Sequence, residues 1–102
     1  MRRPLVACGA LCVLLPVAVL ANGDPDPVRY VAANCTNCHG TAGRGSGAIP
    51  GLAGLQKAYF LERMRSFRDG TRTATVMQQI AKGYSDRQLE HLADYFAREP
   101  AK

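Results

Sequence analysis

The chain has 102 residues, with 13 Lys and Arg against 8 Asp and Glu, and a formal net charge of +5. This length excludes a two-domain enzyme with a large active-site cleft. A composition that is 47% hydrophobic and 21% charged is too apolar for an intrinsically disordered chain, while 10 Gly and 6 Pro indicate more loop than a simple helical bundle contains.

Residues 1–21 have the pattern of a secretory signal peptide. Arg2 and Arg3 form a basic start, an uncharged apolar run follows, and Ala21 ends a permissive cleavage site. The run of about 16 residues is shorter than the ~20 that a membrane-spanning helix needs. We therefore expect cleavage after Ala21 and no stable membrane insertion. A retained N-terminal anchor is the alternative.

Cleavage would leave residues 22–102 as one domain in the periplasm. Removing 21 of the 102 residues leaves 81, with 11 basic and 8 acidic side chains and a net charge of +3. No basic tract with interleaved aromatic residues remains, so nucleic-acid binding is not expected. A chain this small usually needs a disulfide, a metal or a cofactor to complete its core.

The first half of this domain is predicted to be a helix followed by a long loop. The residues at 28–34 suit a helix, with Asp26 as the N-cap and Pro27 at the first helical position. Six glycines and Pro50 fall within residues 40–56. A long ordered loop in so small a domain usually carries function.

The second half is predicted to be helical, with no strand. Apolar spacing indicates a helix at 57–69, ended by Gly70, and a short helix at 76–82. A capping box beginning at Ser85 starts the last helix. Three arginines at or beyond the edge of the first of these helices are expected to be solvated: Arg65, Arg68 and Arg72.

The segment Cys35-Thr36-Asn37-Cys38-His39 carries the chemistry of the sequence. In a helical turn, residues i and i+3 share a face and residue i+4 lies beside the first. Two thiols at this spacing can reach both vinyl groups of one haem while the adjacent imidazole binds the iron. The spacing is the signature of c-type haem attachment. We predict one covalently bound haem c, with thioethers at Cys35 and Cys38 and His39 as an iron ligand.

Three other uses of the motif compete with haem. A thioredoxin-like redox pair would lie in a βαβ unit, and the sequence has no strand pattern. A zinc site needs four ligands, and only Cys35, Cys38, His39 and His91 are available, two of them sequence neighbours. A disulfide between the two cysteines would close a very short loop and add little stability.

The second axial ligand would decide between electron transfer and ligand binding at the iron. Met64 lies in the apolar stripe of its predicted helix, where a core role is favoured. His91 lies off the apolar face of the last helix, where a surface role is favoured. Met77 is far enough along the chain to reach the opposite haem face, and its alternative is an ordinary core methionine.

A bound haem would also supply the missing core, because the helices can wrap its apolar porphyrin. One haem edge is expected to stay near solvent, where electrons would pass. The side chains predicted to pack around the haem are Tyr30, Val31, Leu52, Leu55, Phe60, Leu61, Met64, Phe67, Leu92 and Phe96.

The haem motif and three further stretches together resemble a class I bacterial cytochrome c. The stretches are 50–54 (Pro-Gly-Leu-Ala-Gly), 67–72 (Phe-Arg-Asp-Gly-Thr-Arg) and 76–86, which includes Met-Gln-Gln-Ile-Ala-Lys-Gly-Tyr-Ser. Across nearly all of residues 28–98, the sequence is similar to cytochrome c4-type domains and to the cytochrome subunit of flavocytochrome c sulfide dehydrogenase. It has one haem motif, where cytochromes c4 and some of these subunits have two.

This resemblance implies an all-α class I cytochrome c fold of four to five helices with long loops around one haem. In that fold the N- and C-terminal helices cross, and Ala32 and Ala33 are small enough for a close crossing. The resemblance also implies that Met77 is the distal iron ligand. The carbonyl of Pro50 is expected to accept a hydrogen bond from the ring of His39 and so to fix its tautomer.

These features predict a periplasmic one-electron carrier, with redox proteins as partners, and not an enzyme. The resemblance suggests an FAD-containing sulfide dehydrogenase subunit as one partner. The alternative is a free soluble cytochrome that shuttles electrons to a terminal oxidase or reductase. A gas-binding or peroxidatic haem protein is a further alternative, which needs an iron position that Met77 would fill.

Overall fold

The computed structural model describes residues 26–102, so the expected signal peptide of residues 1–21 and the leader up to residue 25 lie outside the described residues. Within the described range the chain has four α-helices and one 3-10 turn, and its only extended pairing is an isolated bridge between Ser46 and Ile49. The expected all-α fold is confirmed for this range. The elements are α1 (Pro27–His39), the 3-10 turn (Thr41–Gly43), α2 (Lys57–Asp69), α3 (Met77–Lys82) and α4 (Asp86–Arg98).

Helix α1 starts as predicted but ends later. The carboxylate of Asp26 accepts a hydrogen bond from the backbone N–H of Val28 at 3.1 Å, and Pro27 is the first helical residue. The helix does not stop at Asn34 but continues through the haem motif to His39. Asn, Thr and Cys are weak helix formers, so propensity does not indicate this last turn. Its extension places the whole motif on a helix.

The other helix boundaries agree closely with the sequence pattern. Helix α2 ends where Gly70 adopts the left-handed conformation, with φ of +78°. Helix α3 begins at Met77, one position after the predicted start. Ser85 and Gln88 form the capping box of α4, with the Gln88 backbone N–H donating to the Ser85 hydroxyl at 3.2 Å. Between residues 26 and 102, no helix is both long and apolar enough to cross a membrane.

The core lies where α4 meets α1 and α2. Phe96 is fully buried, and its ring centroid is 5.9 Å from that of Phe60 on α2. At the contact of α1 with α4, Ala32 is 1% exposed and Ala93 is completely buried. Ala33 is exposed, so its expected role in the crossing is wrong. Ala33 follows Ala32 by 100° around the helix, which turns it away from α4.

The side chains expected to surround a haem divide into three groups by depth. Apolar spacing marks the inner face of a helix but does not say how deep each side chain lies. Tyr30 is 65% exposed and lies outside the core. Five side chains are buried in the core: Phe60, Leu61, Met64, Leu92 and Phe96. Four are half-buried against it: Val31, Leu52, Leu55 and Phe67.

Ion pairs join α2 to α4 along one side. The Nζ of Lys57 lies 3.1 Å from a carboxylate oxygen of both Glu90 and Asp94, and these two carboxylates raise the pKa of Lys57. The guanidinium of Arg65 lies 3.6 Å from Glu90. Arg65 is exposed, as expected for a solvated side chain, and an acidic residue of α4 also faces it.

Arg68, near the end of α2, is half-buried, so the expectation that it is solvated is wrong. One of its guanidinium nitrogens donates to a carboxylate oxygen of Asp86 at 2.8 Å, and this hydrogen bond lowers the pKa of Asp86. Arg72 is exposed as expected, although its guanidinium carbon lies 5.5 Å from the ring centroid of Phe67. The sequence pattern showed these charges on a helix edge but could not show the partner helix.

Candidate functional site

The last turn and a half of α1 holds both cysteines of the haem motif. Cys35 is half-buried, Cys38 is exposed, and both are free thiols. Burial raises the pKa of the Cys35 thiol, and a backbone hydrogen bond offsets part of that rise. Residues three apart on a helix share a face, so the two sulfurs lie on one face of α1.

His39 closes α1 and is buried, with 9% of its surface exposed. Its Nδ1 lies 2.6 Å from the carbonyl oxygen of Pro50. A carbonyl oxygen can only accept a hydrogen bond, so the proton is on Nδ1 and His39 donates it. The lone pair of Nε2 is then free to bind a metal, in a direction that the Pro50 contact fixes.

A compact loop brings the Pro50 carbonyl to His39. The backbone N–H of Gly45 donates to the His39 carbonyl at 2.6 Å, which turns the chain back directly after the helix. The backbone N–H of Leu52 donates to the Gly43 carbonyl, also at 2.6 Å. The two donors, Gly45 and Leu52, lie on either side of Pro50 in the chain, and their hydrogen bonds hold the segment that presents its carbonyl.

Two positions in this loop require glycine, because the backbone there passes too close to neighbouring atoms to leave room for a side chain. Gly40 has φ of +83°, and a Cβ there would overlap the carbonyl of Gly45. Gly43 has φ of +73°, and a Cβ there would lie 2.7 Å from the ring of Phe96 on α4. The loop is thus fastened to α1 at one point and to α4 at another. The placement of the Pro50 carbonyl depends on both contacts.

The three candidates for a second axial ligand lie in different environments. Met64 is 6% exposed in the core, and His91 is exposed on α4 beside Val28 and Val31. Met77 is the first residue of α3 and is half-buried against the core. Met77 therefore keeps accessible surface on a segment that follows a loop, whereas Met64 is enclosed by the helices.

Several apolar side chains near Pro50 and Met77 are only partly covered by the described part of the chain. Ile49, just before Pro50, is 40% exposed, and Val76, just before Met77, is 55% exposed. Ile80, one turn along α3, is 38% exposed. A large flat apolar group such as haem fits these positions, because it would cover surface that the protein leaves open beside Pro50, which contacts His39, and beside Met77. The half-buried side chains that pack on the core nearby include Val31, Leu52, Leu55, Phe67 and Tyr84.

Tyr84 is a residue near the site to which sequence reasoning assigned no role. Burial raises the pKa of its phenol, the nearby Cys35 adds to this rise, and the side chain of Asn34 offsets part of it. Tyr84, half-buried against the core, therefore lies close to Cys35 on α1. Tyr84 belongs to the 76–86 stretch that resembles the cytochrome family, and this could have drawn attention to it. The sequence alone does not show which residues an aromatic side chain between two helices contacts.

The other uses of the motif gain no support from the described residues. Cys35 and Cys38 are not joined to each other. Between residues 26 and 102, no three or more His, Cys, Asp or Glu side chains are arranged to hold a metal ion. That range also has no strands for the βαβ unit of a thioredoxin-like redox pair.

Comparison with known proteins identifies the family. The sequence model of the cytochrome c family matches residues 28–98. The chain is 38% identical over 68 residues to the cytochrome subunit of sulfide dehydrogenase from Chlorobaculum tepidum, a match covering 67% of this chain and 62% of that protein. It is 42% identical over 102 residues to a thiosulfate dehydrogenase electron acceptor from Thiomonas intermedia, covering 96% of this chain and 44% of that protein.

A solved structure is similar as well. The cytochrome c4 of Acidithiobacillus ferrooxidans superposes with a TM-score of 0.60 at 40% sequence identity, over 62% of this chain and 37% of that one. In all three comparisons the matched region spans less than two thirds of the relative's length. The family match nevertheless covers most of the chain and all four helices up to Arg98. The chain belongs to the cytochrome c family, whose electron-transfer proteins carry covalently bound haem c.

Proposed function

We propose that this protein is a periplasmic one-electron carrier whose haem is attached at Cys35 and Cys38 and ligated by His39 and Met77. The contact between His39 and Pro50 carries this proposal. It sets the imidazole tautomer and leaves Nε2 free, in the same helical turns as two free thiols. When bound, the haem supplies an iron that changes between the ferric and ferrous states by one electron.

The chain's own residues would hold this iron in one coordination geometry. The Pro50 carbonyl orients His39 and, as the acceptor of its ring N–H, makes the imidazole a stronger ligand. The thioether of Met77 is a soft ligand that favours ferrous iron and raises the reduction potential relative to a second imidazole. With both positions filled by side chains, no substrate would bind at the iron, which favours electron transfer over gas binding or peroxidase activity.

Export to the periplasm is supported by the sequence of residues 1–21. The basic start, the short apolar run and Ala21 fit a cleaved signal peptide. Covalent attachment of haem to a Cys-x-x-Cys-His motif is completed outside the cytoplasm, which agrees with export. N-terminal sequencing of the purified holoprotein should give Asn22 as the first residue. A first residue at Met1 would contradict cleavage and favour the retained anchor.

Replacement of Met77 tests the proposed ligand set. Met77→Ala should open the iron, so that carbon monoxide binds the reduced variant rapidly and completely, and Met77→His should lower the reduction potential. Met64→Leu is the matched control, because it removes a methionine from the same apolar region without opening the iron. If Met64→Leu opens the iron and Met77→Leu does not, Met64 is the ligand and this part of the proposal is wrong.

For the partner, we propose a dehydrogenase that oxidises an inorganic sulfur compound. The relatives that support this are named for sulfide dehydrogenase in one case and thiosulfate dehydrogenase in the other. As a subunit, the protein would co-elute with an FAD protein at high salt and be reduced by sulfide through it. As a free acceptor, it would elute alone and be reduced by a thiosulfate dehydrogenase. Failure of both enzymes to reduce the haem would favour a shuttle to a terminal oxidase or reductase.

A further inference from the structure

Different elements cover the two sides of helix α2. On one side, Lys57, Arg65 and Arg68 reach acidic residues of α4. Arg63 precedes Arg65 by two residues and is therefore about 200° away around the helix. It lies on the side that α4 does not cover.

Helix α3, which begins with Met77, packs against α2 and makes few or no contacts with α4. It must therefore approach α2 from a side that α4 leaves open. Phe67 is one turn beyond Arg63 on α2, so the two side chains are neighbours. Phe67 is half-buried and keeps surface that the described chain does not cover. Arg63 thus lies towards the haem side of the domain.

The guanidinium of Arg63 has a buried N–H without an acceptor. Its Nε is buried and donates no hydrogen bond to any described residue. The carboxylate of Glu62 lies 3.5 Å from this atom but does not form a hydrogen bond with it. A buried donor on a charged group is costly when it is left unpaired. The Nε itself is enclosed by protein, but the Arg63 side chain as a whole is 32% exposed. An anion bound to the terminal nitrogens of the same guanidinium would offset part of that cost.

Tyr59 holds this guanidinium from one face. The central carbon of the Arg63 guanidinium lies 4.7 Å from the centroid of the Tyr59 ring. Stacking on an aromatic ring restricts the flat guanidinium and leaves the N–H groups at its edge free. The side chain is therefore oriented in advance for a planar anion, and a carboxylate is the anion whose geometry matches.

We propose that Arg63 binds a propionate carboxylate of the haem. The inference rests on the haem binding of the proposed function, and it adds a positioning residue that lies outside the motif and the axial ligands. A cation next to the haem stabilises the ferrous state, which carries one more negative charge than the ferric state. Pairing also holds the propionate ionised, so the reduction potential should not change when the pH is lowered moderately.

Two substitutions on the same helix test the proposal in the holoprotein. Arg63→Gln and Arg65→Gln each remove one positive charge, but Arg65 faces Glu90 at 3.6 Å on the other side of α2. The reduction potential of Arg63→Gln should shift downward by more than that of Arg65→Gln. Arg63→Gln should also acquire a potential that rises with acidification, and its propionate bending band in resonance Raman spectra should move. Equal potential shifts in the two variants, with unchanged propionate bands, would overturn the proposal.

A third variant keeps the test decisive if Arg63→Gln does not fold. Arg63→Lys retains the charge but lacks the planar pair of donors, so it should move the propionate band while recovering part of the potential shift. A wild-type propionate band in Arg63→Lys would overturn the proposal. Covalent haem content is measured separately in every preparation. Wild-type protein without attached haem would overturn the proposed function, whereas variants with attached haem and wild-type spectra would overturn only the role of Arg63.

Discussion

The two sides of this small domain differ in how completely the polypeptide buries its own apolar side chains and pairs its own charged ones. Where α2 meets α4, Phe96 is fully buried, and both Glu90 and Asp94 face the Nζ of Lys57 at 3.1 Å. Where α1 ends and α3 begins, large apolar side chains remain open, such as Val76 at 55% exposure. On the first side, the polypeptide alone covers the apolar side chains. On the second side, a cofactor is needed to cover them.

This difference separates the effects of substitutions. On the α2–α4 side, a change should alter the free energy of unfolding by the contact it removes. It should leave the haem spectrum unchanged where the residue does not touch the loop that presents Pro50. On the side of the haem motif, a change should act through the haem, which supplies core that a chain of this size cannot form alone.

The largest effect is expected from His39→Ala. The substitution removes the imidazole whose Nδ1 contacts Pro50 at 2.6 Å and whose Nε2 is proposed to bind iron. We expect no stable holoprotein, measured as loss of the haem absorption spectrum and of helical circular dichroism. His91→Ala is the matched control, because His91 is exposed and should tolerate the change. Normal folding of His39→Ala with attached haem would show that the two sides do not differ in this way.

Phe96→Ala should have the largest effect on the side completed by protein contacts. The ring is fully buried, lies 5.9 Å from that of Phe60, and supports Gly43 in the loop. Truncation of a buried Phe costs about 3–5 kcal/mol of unfolding free energy, which denaturant titration measures. The control is Tyr30→Ala, an aromatic residue that is 65% exposed. Similar losses in the two variants would contradict the depth that the structure assigns to them.

Ser85→Ala should have a smaller effect on the same side. The Ser85 hydroxyl accepts the Gln88 backbone N–H at 3.2 Å at the start of α4. Loss of such a cap costs about 1 kcal/mol, and the haem spectrum should not change. Ser85→Asp keeps a side-chain acceptor and should restore most of the stability. If the Asp variant is as unstable as the Ala variant, the cap is not the source of the loss.

Much of the fold could be predicted because its signals are local. The apolar spacing of 57–69 and Gly70 gave both ends of α2, and the pattern at Ser85 gave the start of α4. The end of α1 was not predictable from propensity, because the haem motif is built of weak helix formers. The exposure of Ala33 was also missed, since the choice between adjacent alanines depends on the direction from which α4 approaches.

The site was predictable where chemistry fixes residue spacing and unpredictable where it depends on contacts between elements. The spacing of Cys35, Cys38 and His39 identified the haem motif without a structure. Nothing local in the sequence shows that Tyr84 lies near Cys35. The orphaned N–H of Arg63 is likewise invisible in the sequence, because a charged residue on a helix edge is ordinarily solvated. Such features require the relative placement of helices.

The smallest predicted effect concerns the ion pair of Arg68 and Asp86, and it depends on pH. The Arg68 guanidinium donates to Asp86 at 2.8 Å and lowers the pKa of that carboxyl in the folded protein. A carboxyl with a lowered folded pKa adds stability at pH values above its unfolded pKa and loses it as the pH falls through the folded one. Arg68→Gln should therefore have a slightly lower denaturation midpoint than the wild type at neutral pH. This difference should vanish in acid, once Asp86 is protonated, and should shrink in high salt, because both side chains are partly in solvent. Arg87→Gln, an exposed charge on α4, is the control and should show no such pH-dependent difference. A difference for Arg68→Gln that persists unchanged from neutral to acid pH would mean that Arg68 acts through packing and not through its charge on Asp86.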